Sequence, residues 1–280
     1  MFDYIIRRFF YTLVTLFAVA SILFILFRLL PGDPTMQVIS PAMDPAVQER
    51  MKAAFGLDKS LFVQYIVYLK NLVTLEWGRS FVSAQEVTDI LAYRFWNTIL
   101  LMAAGMCLTL VLGISLGMIM AWKRNSALDI GGTIVSLVFQ AAPPFITGLI
   151  LLIVLSYRLG LFPTGGMYPA GFRPEGVIEL LLMPEFWHRI VLPTITVAAY
   201  YISTPMLVMR DSMLEVLGSD FIELAKAKGL RPSVVMIKHA ARNALLGVVT
   251  IAGIMIGFAV GGQVVVESLF SWPGMGQLMV

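Results

Sequence analysis

Few side chains in this sequence could do covalent or metal chemistry, and none are spaced for it. His188 and His239 are the only histidines and Cys107 the only cysteine, so a zinc site of Cys and His ligands cannot be assembled and no internal disulfide can form. No Gly-rich loop leads into Lys and Ser or Thr, the arrangement that cradles nucleotide phosphates, and no His-Glu-x-x-His pair is present to hold a catalytic zinc. No catalytic residue and no metal ligand is assigned. The residue types that do fall into order are polar and apolar partners of a short helix between residues 210 and 243.

In that segment Asp220 reads as an N-cap. Glu223, three residues later, completes a capping-box pattern. Lys226 and Lys228 follow in the last turn, where they complement the negative end of the helix dipole. Gly229 suits the left-handed position past the helix end, and Pro232 blocks continuation. The expected helix covers residues 221–228, about two turns. At about 100° per residue, Leu214, Leu217, Phe221, Leu224 and Ala225 share one arc, with Glu215, Glu223 and Lys226 away from it. An apolar face of this kind packs on its own bundle or meets a partner; periodicity alone does not choose.

The elements that must position this helix follow from composition. Of 280 residues, 59% are hydrophobic and 13% charged, with a mean hydropathy of +0.85, against about 25% charged residues in soluble domains. The net charge of +3 is a small excess, not a basic surface for nucleic acid. A spanning helix needs about 20 apolar residues, and residues 9–30, 97–121, 134–157, 190–209 and 244–266 meet that length. The first follows Arg7 and Arg8 but outlasts the apolar core of a cleavable signal, so it is read as retained.

Arg7, Arg8, Lys123, Arg124, Arg210, Lys226, Lys228, Arg231, Lys238 and Arg242 fall on one side, which the positive-inside rule makes cytoplasmic. Residues 31–96 and the loop 159–189 are then external, with short outer helices expected over 47–55 and 61–72. Pro143 and Pro144 remove backbone donors in mid-span and should kink the third helix. With Gln140 beside them they either line a pathway or mark a packing kink. Gly113 and Gly117, and Gly253, Gly257 and Gly261, are spaced for close helix approach, within the chain or to a partner. Glu267 ends the fifth stretch and is read as an interfacial charge, with a gate or substrate contact as the alternative. Five spans leave the C-terminus outside, just as apolar residues resume; a sixth helix beyond residue 280 is the expectation.

Glu223-Leu224-Ala225, three residues, then Gly229 resembles the EAA signature of ABC importer permeases, with Leu224 in place of the first Ala. His239, Ala241 and Arg242 stand where the general motif has Ile, Leu and Pro. Ala225-Lys226-Ala227-Lys228-Gly229-Leu230 and Lys238-His239-Ala240-Ala241-Arg242-Asn243-Ala244-Leu245 are similar to the dipeptide, oligopeptide and nickel permeases of the DppB/OppB type. The likeness extends along the chain through Arg28-Leu29-Leu30-Pro31-Gly32-Asp33-Pro34, Phe55-Gly56-Leu57-Asp58, Trp77-Gly78-Arg79-Ser80, Asn97-Thr98 and Phe270-Ser271-Trp272-Pro273-Gly274.

The resemblance implies an all-α polytopic bundle, a single permease domain over residues 1–280 whose segment 210–243 couples to an ATPase through Asp220, Phe221, Glu223, Leu224, Ala225 and Gly229. It implies a second permease subunit, two ATP-binding subunits that hold the ATP, an extracytoplasmic solute-binding protein, and a place in the inner membrane of a bacterium or archaeon. The chain needs no cofactor of its own in that scheme. The alternative class is a transporter or channel not coupled to ATP; buried acidic residues would mark it, and the five stretches hold essentially none between their ends.

Orientation can be checked by cysteine labelling. Lys123→Cys and Arg231→Cys should react with an impermeant maleimide only after the inner face is opened, and Asp58→Cys and Glu175→Cys in intact cells. Reaction of Asp58→Cys only after opening would reverse the orientation.

Overall fold

The computed structural model describes residues 2–29, 58–80, 83–172 and 176–280. The helix expected over residues 47–55, the Leu30 to Pro34 and Phe55 to Leu57 motifs and Glu175 lie outside the described residues. The regular structure of the described residues is helical, apart from an isolated bridge between Arg79 and Glu86. The chain divides into two compact units, residues 1–90 and 91–280.

The first unit holds α1 (Phe2–Leu29) and α2 (Leu61–Thr74). At about 1.5 Å per residue, the 28 residues of α1 reach well past the hydrocarbon thickness. Its apolar side chains are exposed almost all round, as suits a helix whose surroundings are lipid. α2 meets it through a hydrogen bond of 2.6 Å between the Ser21 and Tyr65 hydroxyls. Phe24 also stacks obliquely on Tyr65 and Tyr68, at 5.2 and 5.4 Å between ring centroids. The helix expected over 61–72 is present, ended by Leu75 in the left-handed region at φ 61°.

α3 (Val87–Trp122) runs into the second unit without a break for 36 residues. The next two apolar stretches are each broken. α4 (Ala127–Ala141) meets α5 (Pro144–Leu151), continued by a π-helical stretch Leu152–Arg158, at 103°. The expected kink is thus a complete break: Pro143 takes the N-cap and Pro144 the first turn of α5, where its fixed φ and missing N–H start a new helix rather than bend the old one. After the short α6 (Val177–Leu182), α7 (Pro184–Tyr201) and α8 (Ser203–Leu217) differ by 47°. Pro205 explains the site of that bend, because its ring crowds the carbonyl four residues back, at Tyr201.

α9 (Asp220–Ala227) follows. A turn at Pro232–Val234 and a π-helical stretch Val235–Ala241 then lead into α10 (Arg242–Gly261). α10 stops at Gly262, φ 74°, short of the expected residue 266, and α11 (Val264–Leu269) and α12 (Met275–Leu278) fold back beyond it. Among the described residues three helices are long and apolar enough to span a membrane, or up to five if each bent pair counts as one span. The architecture is that of a polytopic helical bundle.

Two buried clusters hold the second unit. One gathers Leu101, Met102, Phe186, Leu192, Val197, Phe270 and Trp272 from α3, α7 and the end of the chain. The other gathers Met209, Met213, Ile222, Ala225, Val235 and Ala244 from α8, α9, the π-helical stretch Val235–Ala241 and α10. The glycines divide between two uses. A Cβ on Gly117 would overlap the Met206 carbonyl and stand 2.9 Å from Met209 Cβ, so this glycine seats α3 on α8. Gly253 and Gly257 have nothing within 4 Å of such a Cβ.

Gly117→Val should therefore lower the thermal midpoint of the solubilised protein by an overpacking penalty of about 1–3 kcal/mol, whereas Gly253→Ala should leave it unchanged or slightly raised. Equal effects would contradict this division.

Candidate functional site

The segment between α8 and α10 opens with a turn at Gly218 and Ser219. α8 closes with the Gly218 and Ser219 N–H groups donating to the carbonyls of Glu215 and Val216 at 3.2 and 3.0 Å. The N-cap of α9 is Ser219, not Asp220 as its sequence spacing implies, and no side chain caps it. The Ser219 hydroxyl is turned back to the Val216 carbonyl at 2.5 Å, closing the preceding helix instead. Asp220 thus moves into the first turn. There it and Glu223 act on the positive end of the dipole rather than as a capping box.

The other end matches expectation. Gly229 has φ 74°, its N–H donates to the Lys226 carbonyl at 2.9 Å, and the Leu230 N–H donates to the Ala225 carbonyl at 3.3 Å. This pair of bonds is a Schellman motif, which needs a residue in the left-handed region and so favours glycine.

α9 has two apolar faces, not one. Ile222 is fully buried and Ala225 nearly so, in the cluster with Met213, Val235 and Ala240. Phe221 and Leu224 remain 45% and 56% exposed, and Glu223 is exposed beside them. Ala225 therefore belongs to the face that anchors the helix, and Ile222, which the single-arc projection left out, is its main anchor. Leu214 and Leu217 of α8 are half-buried against the same cluster as Ile222 and Ala225, so they belong with the anchoring face and not with Phe221 and Leu224.

The second candidate set, Gln140, Pro143 and Pro144, sits on a different element, at the break between α4 and α5. Gln140 and Pro143 are exposed and Pro144 half-buried. The break itself is closed locally: the Ala142 N–H donates to Val138 at 3.0 Å and the Ile146 N–H to Pro143 at 3.0 Å. Gly113-Ile114-Ser115-Leu116-Gly117 has the letters of a hydrolase nucleophile elbow, but it lies inside α3. It has neither strand nor turn to expose a serine.

A polar knot that sequence reasoning placed at an interface lies at the end of the chain. Glu267 is fully buried within the protein, not an exposed charge. Its Oε1 accepts from the Thr98 hydroxyl at 2.8 Å and its Oε2 from the Gln277 N–H at 3.0 Å. Thr98 in turn accepts from the Met275 N–H at 2.8 Å. Trp272 Nε1 donates to the Asn97 carbonyl, Asn97 Nδ2 to the Pro273 carbonyl and Arg94 Nη1 to Gln277 Oε1, each at 2.8 Å. Gly274 makes room for the carboxylate, since a Cβ there would stand 2.6 Å from Glu267 Oε1. The sequence signal was an acid inside the apolar run Val264 to Phe270, followed by Gly274 and Gly276; such an acid is kept only where its oxygens are satisfied.

Comparison with known proteins bears on the family to which the whole chain is similar. Residues 113–280 match the family described as binding-protein-dependent transport system inner membrane component. Residues 1–102 match the N-terminal region of such membrane components. A Brucella suis biovar 1 protein named as a peptide permease is 38% identical over 100% of this chain and 86% of its own length. The oligopeptide transport system permease protein AppB of Bacillus subtilis is 37% identical over 99% of this chain and 86% of its own. The glutathione transport system permease protein GsiC of Escherichia coli K12 is 34% identical over 100% and 86%.

Truncating Glu267 should loosen the end of the chain. Glu267→Ala leaves buried donors unpaired, at about 1–3 kcal/mol each, and Glu267→Gln faces one donor with another. Both should lower the thermal midpoint, Glu267→Ala more, and speed proteolysis within residues 262–280. An unchanged cleavage rate would show that the knot does not hold this segment.

Proposed function

The chain belongs to the family of binding-protein-dependent transport system inner membrane components, and from that premise we propose a specific task for it, the passage of peptides. At the coarser level it is a multi-pass permease component of an ABC importer, which removes the gradient-driven alternative. The relatives named for peptide, oligopeptide and glutathione transport support a small peptide as cargo. In this reading the chain forms half of a pathway completed by a second permease subunit in the inner membrane of a bacterium or archaeon. An extracytoplasmic solute-binding protein delivers the cargo, and two ATP-binding subunits bind and hydrolyse ATP.

The observation that carries the coupling part of this reading is the exposure of Phe221 and Leu224 on a helix whose opposite face is anchored by Ile222 and Ala225. An exposed apolar pair on a short, rigidly ended helix is a knob suited to a cleft in an ATPase subunit. Glu223 adds a polar contact at its edge. The helix moves as one with the bundle, because it is packed on one side and stopped by Gly229. The pathway role of Gln140, Pro143 and Pro144 rests on the break in their span, where irregular backbone is tolerated beside water or protein.

In proteoliposomes holding the complete complex, di- and tripeptides should be taken up in an ATP-dependent manner and should compete with each other. A nickel chelate that competes better would reassign the cargo. Leu224→Ala and Gly229→Val should insert normally yet lose ATPase-subunit binding and uptake by about tenfold or more. Leu224→Ala removes knob surface; Gly229→Val forces a β-branched residue to positive φ, at about 1–3 kcal/mol. Full transport by Gly229→Val would remove the coupling assignment.

A further inference from the structure

Asp129 has a nearly fully buried carboxylate, the only buried one in an ion pair among the described residues. It lies in the first turn of α4 and is gripped by Arg210 of α8, Nε to Oδ1 at 2.5 Å and Nη2 to Oδ2 at 3.0 Å. Two parallel bonds from a guanidinium to a carboxylate fix orientation as well as distance. Each side has one further partner. The Asn125 N–H, in a residue at φ 62°, donates to Asp129 Oδ2 at 2.9 Å, and Arg210 Nη1 reaches Asp211 at 2.9 Å. Ser126 caps the same helix by accepting from the Asp129 N–H at 3.3 Å.

A second tie joins the same two helices. The Ser203 hydroxyl donates to the Ser136 carbonyl at 2.5 Å, with both residues buried. From Ser203 to Arg210 and from Asp129 to Ser136 are equal steps in opposite directions, about two helical turns each. α4 and α8 are therefore antiparallel and pinned at both ends of a shared face. Each also ends beside a break: α4 at Ala141, before Pro143, and α8 at Ser203, after the bend at Ile202. At its other end α8 turns directly into α9, whose Ile222 and Ala225 pack with Met213 of α8.

We propose that Asp129 and Arg210 are positioning residues that make α4, α8 and α9 one lever, so that displacement of α9 is delivered to the break at Pro143. This rests on the coupling role of α9 given above. Beyond the break, α5 lies close to α7 and to Phe270: a Cβ on Gly148 would crowd Thr196 and Phe270, at 3.2 and 3.3 Å. In this proposal movement of the lever is taken up at the two breaks. Without the ion pair α8 follows α9 while α4 lags, and hydrolysis proceeds without opening the pathway.

The test uses the complete complex in proteoliposomes and reads peptide taken up per ATP hydrolysed. Arg210→Met leaves a buried carboxylate unpaired, so the paired replacement Asp129→Leu with Arg210→Met, which leaves no buried charge uncompensated, is measured beside it. The paired variant is expected to bind the ATPase subunits as the unmodified chain does and to hydrolyse ATP within about twofold of it, with at least a tenfold fall in uptake per ATP. Arg210→Lys, with charge but no fork, should fall in between.

An unchanged ratio in the paired variant overturns the proposal. So does loss of assembly in both the paired variant and Arg210→Lys, which would make the pair a fold-holding contact only. Failure of the underlying reading looks different: Leu224→Ala and Gly229→Val would then bind the ATPase subunits and transport normally, whatever the ion pair does.

Discussion

Every backbone N–H and C=O in an apolar surrounding must find a partner within the protein, and the second unit is organised by the places where a helix gives this up. Breaks occur at Ala142 and Pro143, at Ile202 and at Gly262. Each is covered by near-sequence bonds: the N–H of Ala142 to Val138 at 3.0 Å, of Ile202 to Ala198 at 2.9 Å and of Gly262 to Ala259 at 3.3 Å. At the last of these local cover is insufficient, because the chain turns back twice more within residues 263–278. The missing donors and acceptors are supplied by Asn97, Thr98 and Glu267. A buried carboxylate is the consequence of folding irregular backbone there.

The same economy shapes α9. A helix of eight residues is marginal alone, so one face must be anchored if the other is to be presented. Ile222 and Ala225 provide the anchor, three residues apart, and Phe221 and Leu224, also three apart, are left outside. The presented face is thereby tied to the orientation of α8, and through Arg210 and Asp129 to α4. Rigidity at the knob and breaks farther along the spans are complementary, since displacement of a stiff element is useful only where a joint receives it.

Much of this was legible in the sequence because it depends on composition and near neighbours. The five apolar stretches, the short helix at α2, the interruption at Pro143 and Pro144, and Gly229 at positive φ all rest on local chemistry. What was missed depends on partners far along the chain. Thr98 and Glu267 are 169 residues apart, and Asp129 and Arg210 are 81 apart; neither pair leaves a periodic trace. The misplaced cap has a different origin. Ser219 and Asp220 are both good capping residues, and the choice fell to the preceding helix, which needed the Ser219 hydroxyl for its own last turn. The division of α9 into two faces escaped a single helical projection because the helix is interrupted at Gly218 and Ser219, so one phase does not run through residues 214–225.

α3 stands apart from its neighbours in having no interruption over 36 residues. Thr98, in the polar knot, and Gly117, where α8 presses closest, are separated on it by about 28 Å at the rise of an α-helix, close to the thickness of the hydrocarbon layer. α3 thus acts as a ruler laid across the bilayer. It carries the folded-back end of the chain at one graduation and the α8 contact at the other, and it supplies the fixed datum against which shifts of the broken helices are defined.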